Sequence, residues 1–179
     1  MIDINEQKGN YYIIADHLRT AIFALADGAT FESKGRGYIL KKLVKRATLL
    51  GYFLSFSSDN LLSFSEKLIE INNSFYTHLK KKENLITENL KKEINYTMKF
   101  ITNSTQKIDQ YCQGNPLNTS IPAEKIFFWY DTAGMPLELI ENHLKQKEHN
   151  FSREEFNKLL NKQKQRGKED RERKKIAAF

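Results

Sequence analysis

From Asn84 to Gln113 the apolar residues Leu90, Ile94, Met98, Ile101 and Ile108 recur at three-, four- and seven-residue steps, with Leu85 ahead of them. This commits the middle of the chain to one long amphipathic helix, which Gly114-Asn115-Pro116 then ends. Such a stripe needs other helices to cover it. Ile14, Leu18, Ala21 and Leu25, with Ile22 beside them, predict a helix over 11–27 that stops at Asp27-Gly28, after a polar lead-in over 1–10. Leu61, Leu68, Ile71, Phe75 and Leu79 predict another over 61–82, with Ser58 or Asp59 as N-cap and Lys80-Lys81-Lys82 near its end. A short helix is expected over 137–147, and Ser152-Arg153-Glu154-Glu155 is a capping-box pattern opening a last one that carries Phe156, Leu159 and Leu160. The expected fold is therefore all-α, a bundle of five to seven helices in two lobes. The lobes are 1–113 and 123–179, joined by a turn-rich linker over 114–122 that contains Asn118-Thr119-Ser120. Near 126–131 the aromatic run Ile126-Phe127-Phe128-Trp129-Tyr130 leads into Asp131 and reads as a short extended segment or a buried connector that places the carboxylate at a turn. Gly134 and Pro136 follow at a helix start.

A shorter helix, from Gly35 to about Phe53, carries two faces. At about 100° per residue, Lys41, Lys42, Lys45 and Arg46 fall in one arc, and Ile39, Leu40, Leu43, Val44, Ala47 and Leu50 fill the opposite one. Gly35 and Gly37 allow positive φ or close backbone approach ahead of it, as a loop delivering a helix to a polyanion requires. A solvated surface helix would also fit this pattern. The charged arm 162–175, which has no apolar face, is open to the same two readings. Asp16 and Arg19 stand at i,i+3 as a local ion pair. Asp131 fits an Asx-turn or cap residue, or a carboxylate aimed at a ligand.

Composition narrows the classes. In 179 residues the net charge is +7, which favours anionic partners. Cys112 is the only cysteine, so there is no disulfide framework, and a reducing, cytoplasmic setting is expected. Met1 to Glu6 show no leader pattern, and the longest apolar run, Ala21 to Ala26, is too short to span a bilayer. No helix combines a basic face with aromatics at its boundary, which argues against a membrane surface. His17, His78, His143 and His149 are scattered without metal-ligand spacing, with His143 and His149 expected exposed near a helix end. No nucleophile-and-base constellation or phosphate-binding loop motif is present, so catalytic and metal residues are expected to be none.

Four blocks then match one family in order. Ile13-Ile14-Ala15-Asp16-His17-Leu18-Arg19-Thr20, Ala26-Asp27-Gly28, Gly35-Arg36-Gly37-Tyr38-Ile39-Leu40-Lys41-Lys42-Leu43-Val44-Lys45-Arg46-Ala47 and Tyr130-Asp131-Thr132-Ala133-Gly134-Met135-Pro136-Leu137 resemble the tRNA-recognition region of alanyl-tRNA synthetases. The closing basic helix that ends in Phe179 is also similar. The resemblance implies an all-helical region that grips the tRNA(Ala) acceptor stem and reads its G·U wobble pair. It implies Asp131 as one base reader and Ser33, where the family has an asparagine, as the position of the other. Arg36, Lys41, Lys42, Lys45 and Arg46 are expected at phosphates, with Asp16, Arg19, Gly35, Gly37, Gly134 and Pro136 in structural roles.

The resemblance also sets expectations about activity. The family's class II motifs for ATP, Mg and alanine, and its zinc-bearing editing domain, do not occur in this sequence. No cofactor is expected here, and the segment alone is not expected to form alanyl-adenylate. It would be an excised piece or one product of a split or degraded gene, working with a catalytic core in cis or in trans. The alternative is a helical scaffold that holds a separate catalytic chain without reading bases.

Overall fold

The structure, a computed structural model, describes residues 4–116 and 119–176. Asn118 of the expected linker and Phe179 of the closing helix lie outside the described residues. Those residues contain eight α-helices and no strand: α1 (Ile4–Ala26), α2 (Gly35–Phe53), α3 (Ser58–Asn72), α4 (Thr77–Lys81), α5 (Glu83–Gln113), α6 (Ala123–Phe127), α7 (Leu137–Gln146) and α8 (Arg153–Ile176). A π-helical turn, Phe128–Thr132, joins α6 to the segment before α7. The chain divides into two compact units, Met1–Ile101 and Thr102–Phe179, with the division inside α5.

The first unit is built on α1. Its stripe of Ile14, Leu18, Ala21, Ile22 and Leu25 is fully covered by Leu40, Val44, Ala47 and Leu50 of α2, Leu61 and Ile69 of α3, Leu79 of α4, and Ile86, Leu90 and Ile94 of α5. Each Leu, Ile and Val among them contributes about 1.5–3 kcal/mol on burial. The helix begins at Ile4, earlier than the expected 11, because Glu6, Gln7 and Lys8 favour helix strongly enough to carry it through Gly9. It ends at Gly28, whose φ is +93°. There Ala29 N donates to Ala24 O (2.9 Å) and Gly28 N to Leu25 O (3.1 Å), the paired bonds of a Schellman cap. Lys82 Nζ donates to Ala26 O (2.5 Å), placing a cation at the negative end of α1.

The helix expected over 61–82 is two helices. At its middle the Asn72 side chain competes for a backbone partner, its Nδ2 donating to Leu68 O (2.8 Å). Within α3 the buried face runs through Leu61, Ser65 and Ile69 at four-residue steps, which leaves Ile71 67% exposed, and between the two helices Phe75 is 86% exposed. The N-cap of α3 is Ser57, not Ser58 or Asp59, because Asn60 can answer it. Asn60 N donates to Ser57 Oγ (3.1 Å) and Ser57 N donates to Asn60 Oδ1 (2.9 Å).

In the second unit the segment expected to be extended over 126–131 is helical throughout. A short aromatic run does not fix helix or strand by itself, and here ring packing settles it. Ala133 N reaches back to Phe128 O (3.0 Å), widening one turn so that Trp129 meets Tyr111 (ring centroids 5.4 Å apart) and Tyr130 meets Phe156 (5.5 Å). Phe156 also touches Phe127 and Phe151. It is fully buried, and α6 and α8 close around it. Glu155 N donates to Ser152 Oγ (3.2 Å), so Ser152 caps α8 as expected.

His143 and His149 are buried, contrary to their expected exposure. Each has a partner that the local pattern does not reveal. His143 Nε2 lies 2.9 Å from Asp109 Oδ1, and His149 Nδ1 lies 3.2 Å from Thr119 O. Lys147 Nζ is 3.0 Å from the same Asp109 oxygen. Burial alone would raise the Asp109 carboxyl, but the bonds from His143 and Lys147 outweigh it and hold the group below its ordinary value of 3.8. A lowered folded value means stability that is present above that ordinary value and is lost as pH falls through the folded one. Asp109→Asn should therefore lower the melting temperature at pH 7 and make no difference in strong acid. Thermal melts of both proteins across that range check it, and an equal gap at every pH would remove this role.

Candidate nucleic-acid interface

The interface is built on α2 and the loop that delivers it. Gly35 has φ +65°, a left-handed turn that starts the helix. A Cβ on Gly37 would collide with Thr30 O and sit 2.9 Å from Glu32 N, so that glycine lets the loop 30–32 lie directly on the first turn of α2. Ser33 is exposed on this loop. The N-cap of α2 is Lys34, which makes no side-chain cap, and the first turn holds no acid. With no side-chain cap, the positive end of the helix dipole is left uncompensated, and exposed Arg36 stands beside it.

The cations beyond that turn are not equivalent. Lys42 is exposed and lies over the Tyr38 ring, 4.6 Å from its centroid. Lys45 is exposed and lies 5.7 Å from the centroid of Tyr96, on α5. Lys41 is turned toward α5, its Nζ 3.4 Å from Glu93 Oε2. Arg46 is half-buried and has a partner within the chain. On the apolar arc Leu40, Val44, Ala47 and Leu50 are buried and Leu43 is half-buried, whereas Ile39 is 60% exposed. Ile39 stands at the edge of that arc, next to Tyr38, and adds apolar surface to the cationic side.

Asp16 and Arg19 pair as expected, Arg19 Nη2 donating to Asp16 Oδ1 at 3.4 Å, with His17 Nδ1 3.7 Å from the other oxygen. Both members are exposed, so the pair is worth little to stability. Asp131 belongs to the second unit and is exposed on the π turn. It does not cap α7, whose N-cap is Pro136. Its Oδ1 accepts a hydrogen bond from Gln163 Nε2 of α8. Gly134, at φ +68°, turns the chain after it, and Met135 N donates back to Trp129 O (2.9 Å). π turns often mark functional positions because they displace one side chain from the regular helical path.

Four residues that meet the candidate site residues were not named as site residues from the sequence: Tyr38, Glu93 and Tyr96 around α2 in the first unit, and Gln163 against Asp131 in the second. Tyr38 is exposed at the edge of the basic face, under Lys42, so α2 does carry an aromatic at that boundary, contrary to the expectation from the sequence. The other three lie on distant helices, and only packing brings them to their partners.

The first unit thus presents a cationic helix face, and the second an exposed carboxylate on a displaced turn. The comparisons with known proteins show the family. The family model described as "tRNA synthetases class II (A)" matches residues 2–178, and the chain belongs to that family. It is similar to the alanine–tRNA ligase of Campylobacter jejuni subsp. jejuni serotype O:6, 31% identical over 92% of this chain and 19% of that protein. It is also similar to the alanine–tRNA ligases of Sulfurimonas denitrificans (31%, over 89% of this chain and 18% of the relative) and Helicobacter hepaticus (30%, over 94% and 20%). The chain spans about a fifth of the length of the curated relatives it matches. Among the described residues no helix is long and apolar enough to cross a membrane.

Proposed function

We propose that this chain is the tRNA(Ala) acceptor-stem-binding region of a cytoplasmic alanine–tRNA ligase, contributing stem recognition to aminoacylation carried out with a catalytic core. The observation that carries this reading is the exposed, uncapped cationic start of α2 in a chain that matches the class II (A) family almost end to end. Arg36, Lys42 and Lys45 supply affinity through phosphates, and Asp131 supplies choice. A carboxylate close to RNA is unfavourable unless it accepts a hydrogen bond, and in the minor groove the exocyclic amine of guanine is the donor that distinguishes G-containing pairs. Ser33 offers a hydroxyl that can donate or accept from the loop beside α2.

Binding of the full chain to an alanine acceptor minihelix, and to one with the wobble pair replaced, tests this reading. Asp131→Ala should retain overall binding and lose about 1–3 kcal/mol of preference for the wobble stem. Equal weakening on both stems would overturn its role. Lys42→Ala with Lys45→Ala should weaken both stems alike and flatten the dependence of log K on log salt by about 0.7–0.9 for each phosphate no longer neutralised. A scaffold reading is favoured by one observation, the exposure of Ile71 and Phe75 at the α3–α4 break. Binding without discrimination or salt dependence would select it.

A further inference from the structure

We infer that Glu93 withholds Lys41 from RNA, so that α2 offers fewer phosphate grips than its sequence contains. This rests on α2 being the RNA-facing surface. Glu93 is 6% exposed, and Lys41 is its partner among the described residues, at 3.4 Å from Oε2. Its other oxygen, Oε1, is buried and without a hydrogen-bond partner, as is Thr97 Oγ1 one turn further along α5. A carboxylate held this way already lacks donors. Drawing Lys41 out to a phosphate would leave the carboxylate with neither water nor countercharge, a state far costlier than leaving the pair intact.

Lys42 and Lys45 carry no such tie. Each rests on an aromatic ring, an arrangement that leaves its charge available to phosphate oxygens. Tyr96 lies under both Lys41 and Lys45, at 6.0 and 5.7 Å, so the tied and the available cation stand side by side. The consequence is one of specificity. Sequence-independent affinity for nucleic acid grows with the number of phosphates neutralised, and base contacts discriminate only against that background. Glu93 is thus a positioning residue that trims the background by one grip.

The test uses the full chain and four proteins: wild type, Glu93→Gln, Glu93→Gln with Lys41→Met, and Glu88→Gln, which removes an exposed carboxylate from the same helix. Each is titrated with the wobble and the Watson–Crick minihelix at several salt concentrations. Each is also labelled without RNA by an amine-reactive acetyl ester, and modification at each lysine is read by mass spectrometry. Glu93→Gln should bind both stems several-fold more tightly and steepen the salt slope by about 0.7–0.9. The gain should vanish in the double variant and be absent in Glu88→Gln. Lys41 should label more slowly than Lys42 and Lys45 in the wild type and at their rate in Glu93→Gln. A gain of equal size in Glu88→Gln or in the double variant would overturn the inference, reducing it to a general field effect. So would Lys41 labelling that does not respond to Glu93→Gln. Failure of the wild type to bind either stem in a salt-dependent way would overturn the functional reading itself, and the labelling contrast keeps that failure distinct.

Discussion

Phe156→Ala should destabilise the second unit by about 3–5 kcal/mol, the usual cost of emptying a fully buried aromatic site. The upper part of that range is expected because three rings, Phe127, Tyr130 and Phe151, converge on Phe156 and cannot all collapse into the space it leaves. The effect extends to the candidate site. Tyr130 precedes Asp131 on the π turn, so loosening its packing releases the carboxylate from its fixed position. At temperatures where the variant remains folded, preference for the wobble stem should fall while salt-dependent binding through α2 survives. Chemical denaturation gives the stability and paired-stem titration gives the preference. A loss under about 1 kcal/mol, far below the usual cost of such a truncation, would show that α6, the π turn and α8 are held together by something other than this cluster.

Lys41→Met should destabilise the first unit by about 3 kcal/mol, although lysine side chains on helices are usually expendable to within about 0.5 kcal/mol. The methylene stem is largely kept, so the cost comes from Glu93, left buried without its cation. Breaking a fully buried pair costs about 3–5 kcal/mol, and Lys41, at 30% side-chain exposure, places this one at the low end. Adding Glu93→Gln should return most of the loss, because the group that needed the cation is gone. Lys42→Met, on the same helix, should change little. Urea unfolding of the wild type, Lys41→Met, Glu93→Gln and the double variant completes the cycle, with Lys42→Met as the control. A Lys41 variant as stable as the wild type would mean that Glu93 does not depend on it.

These two cases also mark where the sequence could and could not be read. The long helices are legible because apolar residues at helical spacing have a single good solution: α5 is expected from Asn84 and begins at Glu83, and the stripe of α1 is buried as read. Asp27-Gly28 is a true stop for a local reason, since glycine alone takes the left-handed conformation without strain. The failures have the opposite character. The break at Asn72 to Ser74 and the π turn over 128–132 depend on which of several comparable local bonds wins, and distant packing decides that. Likewise the arc of four cations on α2 follows from helix geometry, but the capture of Lys41 requires a carboxylate from far along the chain. His143 escapes a local reading for the same reason, because Asp109 reaches it from another helix.

The loop between α1 and α2 is pinned at both ends, by the left-handed closure at Gly28 and by Gly37 lying on residues 30–32. Its length is therefore fixed, since an inserted residue would lift the loop off Gly37 and disturb the start of α2. The side chain at position 33 is exposed to solvent and bears no part of that closure. A frame fixed by glycines around an exposed side chain lets that side chain change by point substitution at almost no cost in stability, so the fold itself exerts no pressure on which residue stands at position 33.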